Sequence, residues 1–320
     1  MNVPTHRQPK RPLRKTSARA ERTKRRAAQP SHTARSQRPF GRGPTASQST
    51  TPLARYAPFA VIVLIVVAVV LLLSMLFSLT RCSEKEPVDT STLYVCPYDW
   101  SGLASEGDRL TYSENGQLKS QVGVDVSDHQ NAIDWQAVAS DGIEFAFVRA
   151  GSRGYTEGRM IPDTRFDENL EGALAAGLDA GVYFFSQAIN VDEALEEADF
   201  VLSQLNGRNL SLPVVYDHEP VPEPIGRANN MDTETLTACA LAFCERIESA
   251  GYNTMIYGNA GDMARYDRSA LGTRPIWFAE YDVAAPTAEL TFAIWQYTNA
   301  GSVAGITTNV DLNIRFTDAL

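Results

Sequence analysis

Three regimes of hydrophobic patterning follow one another along the chain. Residues 1–57 carry few apolar positions and no period. Residues 58–80, PFAVIVLIVVAVVLLLSMLFSLT, are apolar without a single charged side chain. From Gln121 onward, short apolar runs alternate with amphipathic stretches. In that last region VGVDV (122–126) predicts a strand, followed by a helix near 133–139 and a second strand in EFAFVRA (144–150). DTRFDENLEGALAAG (163–177) has apolar residues at helical spacing and ends in Gly177. AGVYFFSQA (180–188) predicts a strand, and VDEALEEADFVLSQL (191–205) a helix with acids in its first turn. LPVVYDHE (212–219) is a further strand stopped by Pro220, and 233–251 is a long helix with a threonine cap and a glycine end. TMIYG, PIWFAEYD, FAIWQYT and NVDLN complete the set as strands with progressively thinner helical connections.

Repeated strand–helix units at this spacing indicate a parallel sheet covered by helices. Eight candidate strands in about two hundred residues favour a (β/α) barrel with trimmed final connections. A doubly wound open sheet is the alternative, but no G-x-G-x-x-G loop follows the first strand. Residues 81–120 are polar and irregular, with a turn signal at Asn115-Gly116, and read as an extracellular stalk or a small hairpin-bearing spacer. The expected organisation is thus an arm over 1–57, a span over 58–80, a spacer over 81–120 and a barrel domain over 121–320.

The 58–80 run would make a helix roughly 34 Å long at about 1.5 Å per residue, enough for a hydrocarbon layer of about 30 Å. A buried helix normally keeps a polar stripe, and a cleaved signal peptide has a shorter apolar region after a shorter basic lead. Charge then sets the orientation. The chain carries a formal net charge of −9, yet fourteen of its Lys and Arg and only one acid, Glu21, fall in residues 1–56. Basic flanks stay cytoplasmic, which predicts a single-pass membrane protein with a cytoplasmic N-terminus and residues 81–320 outside. The arm lacks the apolar residues needed to offset its ordering entropy and is expected to be disordered. Its basic residues suit anionic headgroups, so the expected partner is the lipid bilayer through 58–80 and not nucleic acid. Of the four cysteines, Cys82 and Cys96 bracket a short outer segment and could pair in an oxidising setting, whereas Cys239 and Cys244 lie on different faces of a helix. No metal-ligand spacing appears among Cys and His, and no cofactor is expected.

Chemistry in such barrels gathers at the C-terminal strand ends. Those ends carry Asp125, Arg149, Tyr183, Asp217 with Glu219, Tyr257, Tyr281, Trp295 with Gln296, and Asp311. Asp217 and Glu219 are two apart on a strand, so they share a face with backbones roughly 6.6 Å apart. Two carboxylates flanking one small group suit glycosidic cleavage, one of them held protonated by neighbouring negative charge. His218, between them, points towards the helix layer. A divalent-cation cage from Asp125, Asp217, Glu219 and Asp311 is the alternative. Against it, Tyr183, Tyr257, Tyr281 and Trp295 would offer flat faces with polar edges that suit sugar rings.

In ordered motifs the chain resembles glycoside hydrolase family 25, the Chalaropsis-type muramidases, from about Val122 to Phe316. The motifs are GVDVSDHQNAIDW, FVRAG, AGLDAGVYFF, PVVYDHE and IWQYTNAGSVAGITTNVDLN. The resemblance implies an irregular barrel of five β/α units plus three strands and a lysozyme that cleaves the β-1,4 bond after N-acetylmuramic acid in peptidoglycan glycan strands. It implies Glu219 as general acid, Asp217 as the partner that orients the substrate acetamide or stabilises the developing cation, and Asp125 and Asp311 as flanking acids. Tyr183, Tyr257, Tyr281, Trp295 and Gln296 are the expected substrate-binding set. Two positions depart from the family: Arg149-Ala150-Gly151 where Lys and then a Glu-Gly pair are common, and Phe184 where His is common. A non-catalytic wall-binding module on the same fold is the competing reading. A chitinase-type hydrolase would need a longer acidic strand motif than this D-x-E.

Overall fold

The computed structural model describes residues 66–72, 94–221, 226–317 and 319. The chain separates into two compact units, Met1–Glu86 and Pro87–Leu320. In the first, residues 66–72 are helical. Among the described residues, no helix is long and apolar enough to cross a membrane. The basic arm, most of the expected span and Cys82 of the considered disulfide lie outside them.

In the second unit the period-two alternation is realised as strands. β1 (Leu103–Glu106), β2 (Arg109–Glu114) and β3 (Gln117–Leu118) form an antiparallel meander. There follow β4 (Ser120–Val126), β5 (Phe145–Arg153), β6 (Met160–Pro162), β7 (Asp179–Phe185), β8 (Val214–Asp217), β9 (Thr254–Asn259), β10 (Ile276–Ala279), β11 (Ile294–Gly301) and β12 (Val310–Phe316). The helices are α1 (Trp135–Ser140), α2 (Phe166–Ala175), α3 (Val191–Leu205), α4 (Thr233–Glu248) and the single turn α5 (Ala260–Met263). β4, β5, β7, β8, β9, β10 and β11 run parallel in that order. β12 pairs antiparallel with β11 on one side and β4 on the other, closing an eight-stranded barrel, and β6 extends the edge of β5. Five strand–helix units and three further strands are therefore present, as the family resemblance implies.

Helix ends follow local chemistry. Asn190 caps α3 by accepting from the Glu193 backbone N–H. The cap of α4 is Asp232, one residue before the expected threonine, and its carboxylate accepts from the Thr235 backbone N–H. Strand alternation then divides the apolar residues between two layers. Phe145, Phe147, Val215, Met255, Trp277 and Ile294 fill the barrel. Gly123 makes room for this filling, since a Cβ there would sit 2.4 Å from the Phe145 ring. Val124, Val182, Phe184, Tyr216 and Ile256 face outward and pack under the helices. Phe184, a departure from the family pattern, is fully buried in this outer layer beside Phe200 and Phe243 and does not reach the barrel mouth.

The segment read as a spacer is folded over its described part. Residues 94–118 pack on β4, β12 and the segment that leads into β11. The Trp100 ring stacks on Phe292 at 6.2 Å and Tyr98 on Phe316 at 4.1 Å, and the Tyr98 hydroxyl donates to the Phe292 carbonyl at 2.6 Å. Polarity could not report this role, because the work is done by the few aromatics of YVCPYDW and Tyr112. An exposed two- or three-stranded ribbon would be marginal without such a surface to pack on.

Candidate active site

The C-terminal strand ends gather the four acids that the sequence singled out. Asp125 on β4 and Asp311 on β12 are directly paired across the antiparallel ladder. β12 runs backwards, so the second residue of that strand reaches the same end as the last residues of its neighbours. Asp217 is the last residue of β8, and its side chain points inward. Glu219 is not on the strand as expected. β8 ends at Asp217, and Glu219 lies two residues beyond, ahead of Pro220, which offers no N–H to continue a ladder. It nevertheless lines a cavity of about 310 Å³ with Tyr257, Asn259, Ala260, Glu280 and Tyr281.

Directional hydrogen bonds hold Asp125. The hydroxyls of Tyr257 and Tyr281 donate to Gln296 Oε1 at 2.7 and 2.6 Å, which fixes the Gln296 amide so that Nε2 donates to Asp125 Oδ2 at 2.8 Å. From the other side Trp277 Nε1 donates to Asn313 Oδ1 at 2.7 Å, and Asn313 Nδ2 donates to the same Asp125 oxygen at 2.8 Å. Burial pushes Asp125 above the usual carboxylate range, while these donors and a hydrogen bond with Asp311 oppose the rise. Asp311 itself is pushed up to about 8 by burial and by the Asp125 charge, so it carries a proton at neutral pH.

Burial and neighbouring negative charge raise both members of the Asp217–Glu219 pair. Burial raises Asp217 well above its ordinary value, and the charges of Glu219 and Asp125 add to the rise. One Asp217 oxygen is buried without a hydrogen-bond partner. Glu219 is pushed up to about 7, first by burial, then by Asp262 and Asp125. A carboxyl poised near neutrality beside an open cavity is fitted to deliver a proton at physiological pH. His218 is fully buried and faces outward, with burial and then Arg265 depressing it to about 4, so its ring is neutral.

The expected binding residues divide. Tyr257 and Tyr281 line the cavity, although their hydroxyls are committed to Gln296. Tyr183 lies between the charges of Asp125, Asp217 and Arg149 with its ring edge-on to Trp277 at 6.1 Å. Gln296 is buried and supports Asp125. Trp295 does not belong to the site. It precedes Gln296 on β11, so alternation turns it outward, where it packs against Trp100 and Tyr297 and donates from Nε1 to the Glu280 carbonyl at 2.8 Å. Adjacent strand residues cannot share a face, a test that was available from the sequence. Arg149 makes no ion pair with the central acids, although its charge lowers Asp217. It bridges Asp163 at 2.8 Å and Asp128 at 2.6 Å, tying the loops after β4 and β6 to β5. The sequence reading missed Asn313, although it alternates with Asp311, and it missed Asp262, which sits on a one-turn helix with no periodicity to reveal it.

The family model for glycosyl hydrolases family 25 matches residues 124–306. The chain belongs to that family. Lysozyme M1 of Streptomyces globisporus is 31% identical over 201 residues, covering 60% of this chain and 66% of that protein. The chain thus spans just under two thirds of that curated relative. The bacterial lysozyme from Streptomyces coelicolor is similar in structure, with a TM-score of 0.51 and 29% identity over 60% of this chain and 90% of that one. The modular autolysin LytC from Streptococcus pneumoniae, solved with a synthetic peptidoglycan ligand, shares the fold at a TM-score of 0.56 and 22% identity, over 67% of this chain and 52% of that one. All four acids read from the sequence are present in this family-25 barrel, and none of them forms part of a metal-holding group among the described residues.

Proposed function

We propose that this protein is a muramidase that cleaves the β-1,4 bond between N-acetylmuramic acid and N-acetylglucosamine in peptidoglycan. Glu219 is its general acid and Asp217 its partner. The observation that carries the reading is Glu219 itself, poised at about 7 on the wall of a tyrosine-lined cavity at the carboxylate end of a family-25 barrel. Protonated, it donates to the leaving glycosidic oxygen. Asp217, below it and unpartnered at one oxygen, orients the substrate acetamide or stabilises the cation that develops at the sugar ring. Asp125, locked by two amides, holds Asp311 protonated and keeps negative charge next to Glu219. The relatives named lysozyme and the autolysin solved with a peptidoglycan ligand support the choice of substrate.

The same proposal places the barrel outside a membrane, anchored by residues 58–80. Its support is the uncharged 58–80 run preceded by fourteen Lys and Arg. Full-length protein incubated with purified cell wall should release fragments whose new reducing ends are N-acetylmuramic acid by mass spectrometry. Walls left intact across pH 4–8, or new reducing ends on N-acetylglucosamine, would remove the muramidase reading. Protein that leaves the membrane fraction at alkaline pH would remove the anchor.

A further inference from the structure

Glu219 has a positional problem that its acids do not solve. β8 stops at Asp217, whose carbonyl accepts from the Ser186 backbone N–H at 2.7 Å, and the sheet ladder gives no support further on. General acid catalysis demands that the carboxyl stay within hydrogen-bond reach of the leaving oxygen. At Glu219 the loop after β7 takes over. Gln187 Nε2 donates to the Glu219 carbonyl at 2.8 Å. Gln187 is fully buried, and its Oε1 has no partner, so that single bond fixes how the amide is turned.

Gln187 is itself clamped at both backbone groups. Its carbonyl accepts from Arg227 Nη1 at 3.1 Å, and Arg227 is forked onto Glu193 at 2.6 and 2.8 Å. Its N–H donates to the carboxylate of Glu197. Glu197 is buried, accepts from the Ser186 hydroxyl at 2.6 Å, and is held by Arg153 Nε at 2.7 Å. Two ion pairs rooted in α3 therefore fix one loop residue, and that residue holds the backbone of the acid. A structural account of these charges needs only the loop to be tied down. It gives no reason for a buried amide to spend its one bond on the carbonyl of Glu219.

We infer that Gln187 is a positioning residue for Glu219, setting where the acid presents its proton through a bond to the Glu219 backbone. The inference rests on Glu219 being the general acid. Arg227 and Glu197 act one step further out, by holding Gln187.

The test uses the full-length chain acting on soluble peptidoglycan oligomers, with kcat, KM and pH profile measured for Gln187→Leu and Gln187→Glu. Gln187→Leu removes the donor at similar volume. The expected result is a fall in kcat of about 10- to 100-fold, the range for a misplaced reacting group, with KM within about twofold. Gln187→Glu keeps the shape but can donate only when protonated. Its activity should be lost at neutral pH and should recover towards acid pH, a tilt that loosened packing alone does not produce. If Gln187→Leu does not fold, Gln187→Glu decides the question. Unchanged kcat in Gln187→Leu, or a Gln187→Glu profile parallel to that of the parent, would overturn the inference. Glu219→Gln in the same assay separates the two readings. An active Glu219→Gln removes the general-acid assignment, whereas an inactive Glu219→Gln with a fully active Gln187→Leu removes only the role given to Gln187.

Discussion

The two ends of the barrel handle charge in opposite ways. At the N-terminal end, arginines are paired with acids. Arg315 lies over the Phe145 ring at 5.3 Å and bonds Asp179 at 2.6 Å, and Arg274 forks onto Glu248 at 2.7 and 2.8 Å. A cavity of about 1110 Å³ opens there, the larger of the two described, but Arg274 and Arg315 on its walls are already matched by acids. At the C-terminal end Asp125, Asp217, Asp311 and Glu219 face one another, and amides, tyrosines and shared protons replace counter-cations. Buried carboxylates without cations are costly. The difference teaches that size does not mark the site: the smaller cavity is walled by groups whose chemistry remains unspent.

The largest expected contrast is between activity and stability at Glu219. Glu219→Gln should lower kcat on peptidoglycan at least ~10²- to 10⁴-fold, the usual range for a lost general acid. Its melting temperature should stay level or rise, because the amide removes a carboxyl that burial disfavours. An equal loss of activity and fold would mean that this end is built for stability like the other.

The next contrast lies within one strand. Trp295 and Gln296 are neighbours on β11 but belong to different layers. Trp295→Ala should cost about 3–5 kcal/mol in denaturant unfolding, as for large buried aromatics. The kcat per folded molecule should stay near that of the parent. Gln296→Leu should lower kcat per folded molecule as well as stability. It removes one of the two amide donors to Asp125, leaving Asn313, and takes the acceptor from two tyrosine hydroxyls at about 1–3 kcal/mol each. A Trp295→Ala enzyme that folds normally but fails to bind oligomers would return Trp295 to the site.

Most of this architecture was legible in the chain. The strands, their order and the four acids came from period-two runs that end in polar residues, and the ordered motifs gave the five-plus-three count. Three things were not legible, each for a physical reason. The D-x-E alternation puts Glu219 on the strand, yet β8 ends at Asp217, two residues earlier. The 94–118 meander looked like a spacer because its packing rests on a few aromatics in a polar segment. Gln187 was invisible because it bonds a backbone carbonyl in another loop, and no side-chain pattern marks that.

Acidity should sharpen the contrast between the ends. For Glu219 and Asp311 the folded values of about 7 and about 8 lie above the ordinary 4.5 and 3.8, so the folded state keeps protons that the unfolded chain has released. Stability from this end is therefore fullest below the ordinary carboxylate range and falls as pH rises through 7 to 8. Glu248, lowered first by its Arg274 hydrogen bonds, behaves oppositely, its contribution being lost as pH falls through its depressed value. Thermal unfolding followed from pH 4.5 to 8 should show a downward drift that Asp311→Asn lessens and Glu248→Gln does not. A drift unaffected by Asp311→Asn would detach the carboxylate end from the trend.

The smallest expected effect concerns a carboxylate outside the four. Asp262, nearly buried in the first turn of α5, accepts from the Asn259 backbone N–H at 3.2 Å. After burial, its charge is the largest influence raising Glu219, ahead of Asp125. The groups around Glu219 are Asp217 on its own segment, Asp125 and Asp311 across the barrel, Tyr257, Tyr281 and Glu280 on the cavity wall, and Asp262 on α5 with Arg265 just beyond that turn. Asp262→Asn keeps an oxygen for the Asn259 N–H and so spares the helix cap, but it deletes the charge. Deleting a negative neighbour lowers the value of an acid. The alkaline limb of kcat/KM should thus move down by roughly half a pH unit, equivalent to about 0.7 kcal/mol. The maximum rate below that limb should be preserved. An alkaline limb that stays fixed or moves upward would show that Asp262 serves only the helix, leaving burial and the other three central acids to keep Glu219 protonated.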